Sequence, residues 1–156
     1  LLMQTAEYSL IVLVALVQDP GNLGGVLRTA DYFGADEVWL GPGSADPYAP
    51  KAIRGSMGAV FRLPVRRLPD LSEPVSRFKS GGATVWAAVA HSDRAESSLP
   101  STVKRIVMIG GESKGLSDEQ LRLADHEIMI PGAGRGESLN LAVATGILIY
   151  MAKGNC

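Results

Sequence analysis

Three glycine-bearing turns set the chemical possibilities of this chain: Asp19 to Gly25, Gly110 to Gly115, and Pro131 to Gly136. Each follows an apolar run of strand length and precedes a helical pattern. Each therefore belongs at the carboxyl end of a strand, where open α/β sheets bind their ligands. Generic nucleotide chemistry fits them poorly. Gly21-Asn22-Leu23-Gly24-Gly25 lacks the G-x-G-x-x-G spacing of a dinucleotide turn, and Gly110-Gly111-Glu112-Ser113-Lys114-Gly115 lacks the G-K-[ST] order of a phosphate loop. Gly132-Ala133-Gly134-Arg135-Gly136 comes at the end of the pattern, where a dinucleotide fold does not put its first turn.

Other chemistries are weaker still. His91 and His126 are far apart and have no metal-ligand spacing, so no metal site is expected. His126, beside Asp125, reads as a satisfied edge histidine. No G-x-S-x-G elbow supports a Ser-His-Asp hydrolase. Cys156 is the only cysteine, which excludes a disulfide framework and fits a reducing, cytoplasmic setting.

The elements that must position the turns alternate along the chain. Ser9 to Val17 is an apolar run of strand length. A helix starts around Asp19-Pro20-Gly21-Asn22, carries Leu23, Val26, Leu27, Ala30 and Phe33 at helical spacing, and stops at Gly34. Strands are expected at Glu37–Leu40, Arg62–Val65, Thr84–Val89, Arg105–Ile109 and Glu127–Ile130. Short helices are expected at Lys51–Met57 and Leu71–Ser80, with a loop over His91–Thr102. Ser117 and Gln120 form a capping box for a helix to about Ala124. The last helix, from about Ser138 to Ala152, is apolar nearly all round, which implies burial on more than one face. The sheet on one side and a second subunit on the other would account for it, with Ala142, Ala144 and Gly146 allowing close approach.

The 156 residues suit a single domain, and 46% hydrophobic with 20% charged residues is ordinary for a globular protein. Strands alternating with helices indicate a parallel α/β sheet. No run reaches the length of a membrane helix. Leu1 to Tyr8 carries Glu7 and no Lys or Arg, which makes a poor signal peptide, and a start at Leu1 rather than Met suggests a piece of a longer protein. Net charge is −1, yet Lys51, Arg54, Arg62, Arg66, Arg67, Arg77 and Lys79 face only Asp70 and Glu73 in their segment. That segment reads either as a phosphate-facing patch or as a solvated basic face.

Three segments, taken in order, carry a more specific signal. They are Asp19-Pro20-Gly21-Asn22-Leu23-Gly24-Gly25-Val26-Leu27-Arg28-Thr29-Ala30, Ile109-Gly110-Gly111-Glu112-Ser113-Lys114-Gly115-Leu116, and Ile130-Pro131-Gly132-Ala133-Gly134-Arg135-Gly136-Glu137-Ser138-Leu139-Asn140-Leu141-Ala142-Val143-Ala144. In order and spacing the chain resembles the SpoU (TrmH-like) family of RNA ribose methyltransferases, within the SPOUT superfamily, over about residues 10 to 152. Lys51 to Val65 is similar to the family's linking segment.

The resemblance implies a parallel-sheet α/β/α sandwich whose C-terminal part is threaded into a deep trefoil knot, an exception to unknotted connections. It implies S-adenosylmethionine as cofactor, with its adenosine part against backbone groups of Gly110, Ile130 and Leu139. It implies RNA as substrate, ribosomal RNA somewhat ahead of transfer RNA, and a homodimer in which both subunits complete each active site. The first and last helices would form much of that interface. The key catalytic position falls on Arg28, which the family's accounts cast as a base aided by an RNA phosphate. A guanidinium hardly deprotonates in a protein. A cation that grips the phosphate and stabilises the developing alkoxide is easier to defend. Asn22, Glu112, Ser138 and Asn140 match the family's other polar positions and would orient the ribose and the loops. Arg54 and Arg135 are weaker matches for RNA phosphate contacts.

Plain structural roles compete with these. Asn22 stands where a residue could cap the first helix and Ser138 where one could cap the last, and Glu112 could serve only loop amides. Two departures from the family pattern stand out. Gly132 follows Pro131 where a larger residue is usual, and the N-terminal RNA-binding domain of many relatives is missing from this sequence. The competing functions are a SPOUT-type base methyltransferase, a non-catalytic RNA-binding module of the same fold, and a nucleotide-dependent oxidoreductase, the last disfavoured by the missing fingerprint.

Overall fold

The computed structural model describes residues 9–99 and 104–153. Leu1 to Tyr8, the end of the expected His91–Thr102 loop and Cys156 lie outside the described residues. Among the described residues six strands, β1 (Ser9–Val14), β2 (Glu37–Leu40), β3 (Val65–Arg67), β4 (Thr84–Ala88), β5 (Lys104–Ile109) and β6 (His126–Ile128), pair in parallel in the order β3-β2-β1-β5-β4-β6. In the centre Val12 lies opposite Val38 of β2 and Val107 of β5.

β1 is apolar on both faces because both are covered. Leu10, Val12 and Val14 face one layer, with α1 (Pro20–Tyr32) and α5 (Leu141–Lys153), while α2 (Pro50–Ser56) packs on α1. Ile11 and Leu13 face the other, with Val75 and Phe78 of α3 (Ser72–Ser80) and Leu121 of α4 (Asp118–Leu121). The expected three-layer sandwich is present.

α1 starts where Pro20 fixes its own φ and where the Asp19 side chain accepts a hydrogen bond from the Asn22 backbone N–H at 2.8 Å. Asp19, not Asn22, is therefore the cap. α1 and α2 approach closely: a Cβ at Gly24 would lie 2.7 Å from the Ala52 carbonyl oxygen and 2.8 Å from Gly55 Cα. The capping box at Ser117 and Gln120 forms as expected, but its helix ends at Leu121.

Several boundaries differ from the sequence reading. β1 stops at Val14. Beyond it the Val17 backbone N–H bonds to Ser44 Oγ at 3.2 Å, so the tail of the apolar run is a buried loop rather than strand. The expected strand at Arg62–Val65 lies at Val65–Arg67, after Pro64, whose carbonyl accepts from Val38 N–H at 3.0 Å. β6 covers His126–Ile128 rather than Glu127–Ile130, because the Met129 N–H turns to the Glu96 carbonyl at 2.9 Å.

α5 begins at Leu141, and its first turn is capped by Asn140 Oδ1, which accepts from Ala142 N–H at 3.0 Å and Val143 N–H at 3.4 Å. Asn140 rather than Ser138 is the cap. The small residues of α5 lie on α1 of the same chain: a Cβ at Gly25 would sit 3.0 Å from the Ala142 Cβ, and one at Gly146 would sit 3.0 Å from Thr29 Cγ2. The expected second neighbour of this helix is thus partly supplied within the chain. Val143 and Tyr150 remain exposed.

The return to α5 is the feature that positions the site. β6 is an edge strand beside β4, whereas α5 packs on α1 and against β1 and β5. The segment 129–140 therefore runs back from the sheet edge toward its centre. At the far end of α5, the buried Arg105 of β5 donates to the Ala152 carbonyl.

Candidate active site

The sequence runs outward from β1 to β3, then returns to the other side of β1 through β5, so the strand order reverses between β1 and β5. Such a reversal leaves a crevice outside the carboxyl ends of the two strands. The first two glycine turns both open there. The Ala15 N–H donates to the Ile109 carbonyl at 2.8 Å, and a Cβ at Gly111 would come within 3.2 Å of the Leu16 carbonyl oxygen.

The second turn doubles back on itself. The Gly115 N–H bonds to the Gly111 carbonyl at 3.0 Å, and a Cβ at Gly110 would lie 2.2 Å from the Gly115 carbonyl carbon. Only glycine fits at 110 without reshaping the turn. Glu112 projects from this turn, and its Oε1 accepts a hydrogen bond from Asn22 Nδ2 at 2.8 Å. The two side chains are 90 positions apart in sequence. Glu112 thus bonds a side chain of the first motif, not only loop amides.

Asp19 ties the same corner to α2. Its Oδ2 lies 2.9 Å from Lys51 Nζ while Oδ1 holds the Asn22 N–H. The Lys51 ammonium first, and the Asn22 amide second, hold the Asp19 carboxyl below the usual carboxylate range. Sequence reasoning missed this pair. The spacing of 32 residues carries no local signal.

The third turn reaches the site through its ends. Ile130 is half-buried and packs on the core shared by Ile109, Leu23 and Leu141, and Gly25 meets Ala142 at the start of α5. Between them, Pro131 to Asn140 is exposed. Among the described residues, the backbone from Ile130 to Leu139 makes no hydrogen bond. Gly110 is buried, Ile130 half-buried and Leu139 exposed. Of the three, Ile130 packs on the core, and the two grooves at α1 and α5 are lined by other residues. Ser138, Arg135 and Arg54 are exposed and, among the described residues, have no side-chain partner.

Arg28 is also exposed and unpartnered among the described residues. It lies six residues beyond Asn22, about 9 Å further along α1, and makes no hydrogen bond to the Asn22–Glu112 pair. It lines a groove with Tyr32, Met57 and Arg62.

The basic segment is largely neutralised by carboxylates from elsewhere in the chain. Lys51 pairs with Asp19, Arg62 with Asp31, Arg66 with Glu37 and Lys79 with Asp125, while Arg77 takes Glu73 four residues away. Arg54 keeps its charge free, so a window count of charge overstated the patch. His126 is on the edge strand, as expected, stacked on Trp86 at 4.4 Å, but its partner is Glu96 at 3.2 Å rather than Asp125. Among the described residues there is no group of three or more metal-ligating side chains, and no helix long and apolar enough to cross a membrane.

Comparison with known proteins agrees with this arrangement. The SpoU rRNA methylase family model matches residues 9–150. The chain is 36% identical over 144 residues to the Bacillus subtilis 23S rRNA (guanosine(2553)-2′-O)-methyltransferase RlmP, covering 92% of this chain and 58% of that protein. Among solved structures, the AdoMet-bound rRNA methyltransferase from Sinorhizobium meliloti superposes with a TM-score of 0.86 at 34% identity, over 97% of this chain and 58% of that one. The SpoU methyltransferase AviRb from Streptomyces viridochromogenes also gives 0.86, at 32% identity, over 94% and 59%. The chain spans between about half and two thirds of the length of these curated relatives. The family match along nearly the whole chain, on a fold whose first two motifs meet at the strand-order reversal, makes the protein a member of the SpoU rRNA methylase family.

Proposed function

We propose that this protein transfers the methyl group of S-adenosylmethionine to a ribose 2′-hydroxyl of RNA, with ribosomal RNA favoured over transfer RNA. The observation that carries the reading is the Asn22–Glu112 hydrogen bond, which joins two family motifs at the crevice between β1 and β5. The names of RlmP and of the Streptomyces viridochromogenes 23S rRNA (uridine(2479)-2′-O)-methyltransferase support the reaction class, and the AdoMet-bound neighbour supports the cofactor.

The residues present suit that cofactor. From Ile130 to Leu139 the backbone offers amides and carbonyls with no internal partner among the described residues, which is what reading the edge of an adenine requires. Gly110, bare of a side chain, lets the second turn fold back on Gly115 and Leu116, which fixes the backbone at the end of β5. The cofactor supplies an electrophilic methyl group on a sulfonium. Gly110, Ile130 and Leu139 would hold its adenosine portion through backbone groups, and ordering of the exposed third turn would accompany binding.

The chain's own task is to prepare the ribose oxygen. A hydroxyl is a poor nucleophile until its proton leaves. Arg28, with its guanidinium free, is suited to hold an RNA phosphate and to stabilise the alkoxide as it forms. Asn22 and Glu112 would orient the ribose as a fixed pair, and Ser138 and Asn140 would position the third turn. Arg54 and Arg135 would contact flanking phosphates.

Arg28 makes no hydrogen bond to the Asn22–Glu112 pair and stands about 9 Å along the helix from Asn22, which supports a site shared between two copies. An open apolar groove of 460 Å³ between α1 and α5, lined by Phe33, Val143, Ile147 and Tyr150 among others, supports a homodimer built on these helices. The return of residues 129–140 toward the sheet centre supports the threading of a C-terminal trefoil knot. An enzyme acting on ribosomal RNA would work in the cytoplasm.

The test is transfer of labelled methyl from S-adenosylmethionine to unmodified ribosomal and transfer RNA transcripts. Label in the RNA is the expected result. No transfer to either, from protein that binds the cofactor, would contradict the proposal.

A further inference from the structure

Arg28 does not stand alone on its helix face. Four residues on, and therefore on the same face, is Tyr32, whose side chain is 83% exposed. One exposed ring is ordinary by itself; Tyr32 differs in sharing a groove with a cation and a thioether. Both residues line a groove of 410 Å³ that is closed on its other side by Met57 and Arg62.

Met57 is unusual on two counts. It is 66% exposed, and it is the only non-glycine residue with positive φ, at 50°, among the described residues. It ends α2 in the left-handed conformation, a place where glycine or asparagine is far more common. Strain kept at an exposed position, with a soft apolar side chain set into a groove, points to use rather than packing. The rim guanidinium of Arg62 is held by Asp31 at 2.6 Å, while Arg28 carries an uncompensated positive charge.

We propose that this groove takes an unpaired nucleobase of the RNA, next in the strand to the ribose being methylated, packed against the Tyr32 ring and the Met57 thioether while Arg28 holds the phosphate between the two nucleotides. An aromatic face, a thioether and one free cation match a nucleotide's flat base and its anionic link. Of the polar side chains that line the groove, Asp31 and Arg62 hold each other, and Thr29 and Ser56 bond backbone carbonyls, so stacking rather than edge reading sets the contact. The arrangement would let the protein select a single-stranded or looped site although carboxylates neutralise much of its basic segment. This inference rests on the RNA-methylating reading above.

The test uses the full chain and two probes, a mixed-sequence single-stranded RNA decamer and an abasic decamer with the same backbone. The wild-type protein is expected to prefer the base-bearing strand by at least about fivefold, the low end of the worth of one stacked base. Tyr32→Ala and Met57→Gly are expected to abolish that preference and to leave abasic binding unchanged. Met57→Gly relieves a strained backbone, so lost folding does not confuse the result. No base preference in the wild type, or one that survives both substitutions, would overturn the inference. Dissociation of a dimer by both substitutions would overturn it as well, assigning the groove to a second copy. Methyl transfer to ribosomal RNA transcripts, measured on the same preparations, separates the two readings. Transfer without base preference sinks the groove alone, whereas base preference without transfer sinks the proposed reaction.

Discussion

Asn22 Nδ2 donates to Glu112 Oε1 across 2.8 Å, joining the first turn of α1 to the doubled-back loop after β5. A charge-assisted bond between two exposed side chains contributes little to stability but fixes an orientation. Asn22→Ala and Glu112→Ala should each lower kcat/KM on the order of tenfold to a hundredfold, the scale of a displaced catalytic geometry. The double variant should be scarcely worse than either single one, because both remove the same bond. Full additivity would show that the two residues act separately.

Arg28→Ala should lose on the order of 10² to 10³ in turnover, as expected when a charge aimed at a developing oxyanion is removed. Calorimetric affinity for S-adenosylmethionine should be largely kept. Loss of cofactor binding with the substitution would move Arg28 from substrate to cofactor.

Gly24→Ala probes the packing of α1 on α2. Its methyl would sit 2.7 Å from the Ala52 carbonyl oxygen, with backbone rather than a flexible side chain in the way. Overpacking of this kind costs about 1–3 kcal/mol. Denaturant unfolding should show that loss with an unchanged m-value.

The Asp19 carboxyl is held below its ordinary range by Lys51 and by the Asn22 amide. A carboxylate depressed in the folded state adds stability above its unfolded pKa of about 3.9. That stability is lost as the pH falls through the lower, folded value. Asp19→Asn keeps an acceptor for the cap and loses the ion pair. Wild type should therefore be the more stable at pH 7, with the gap shrinking below about pH 4. A gap that widens on acidification would contradict the assignment.

Val143→Lys places a charge in the apolar groove between α1 and α5. Sedimentation should show a dimer for the wild type and a monomer for the variant, with methyl transfer falling alongside. An active monomer would contradict a site shared between copies.

Much of this was legible in the residues. Pro20 and the periodicity from Leu23 to Phe33 marked α1, and the Ser117–Gln120 box marked α4, because caps and apolar spacing are local signals. The three motifs revealed the family. What failed to show was long-range. Val17 looked like strand because a buried loop is as apolar as a buried strand. The basic segment looked like a patch because Asp19, Asp31, Glu37 and Asp125, which neutralise most of it, lie outside the window. The cap of α5 was misplaced by two residues because Ser138 and Asn140 are both good caps, and only the geometry chooses between them.

The most direct test of the account is where the methyl group lands. RNA labelled by the wild-type protein can be hydrolysed to completion with alkali, which needs a free 2′-hydroxyl at each cleaved link. Label in alkali-stable dinucleotides is the predicted result, since a methylated ribose oxygen cannot attack its own phosphate. Label confined to mononucleotides would place the methyl on a base and contradict the central claim.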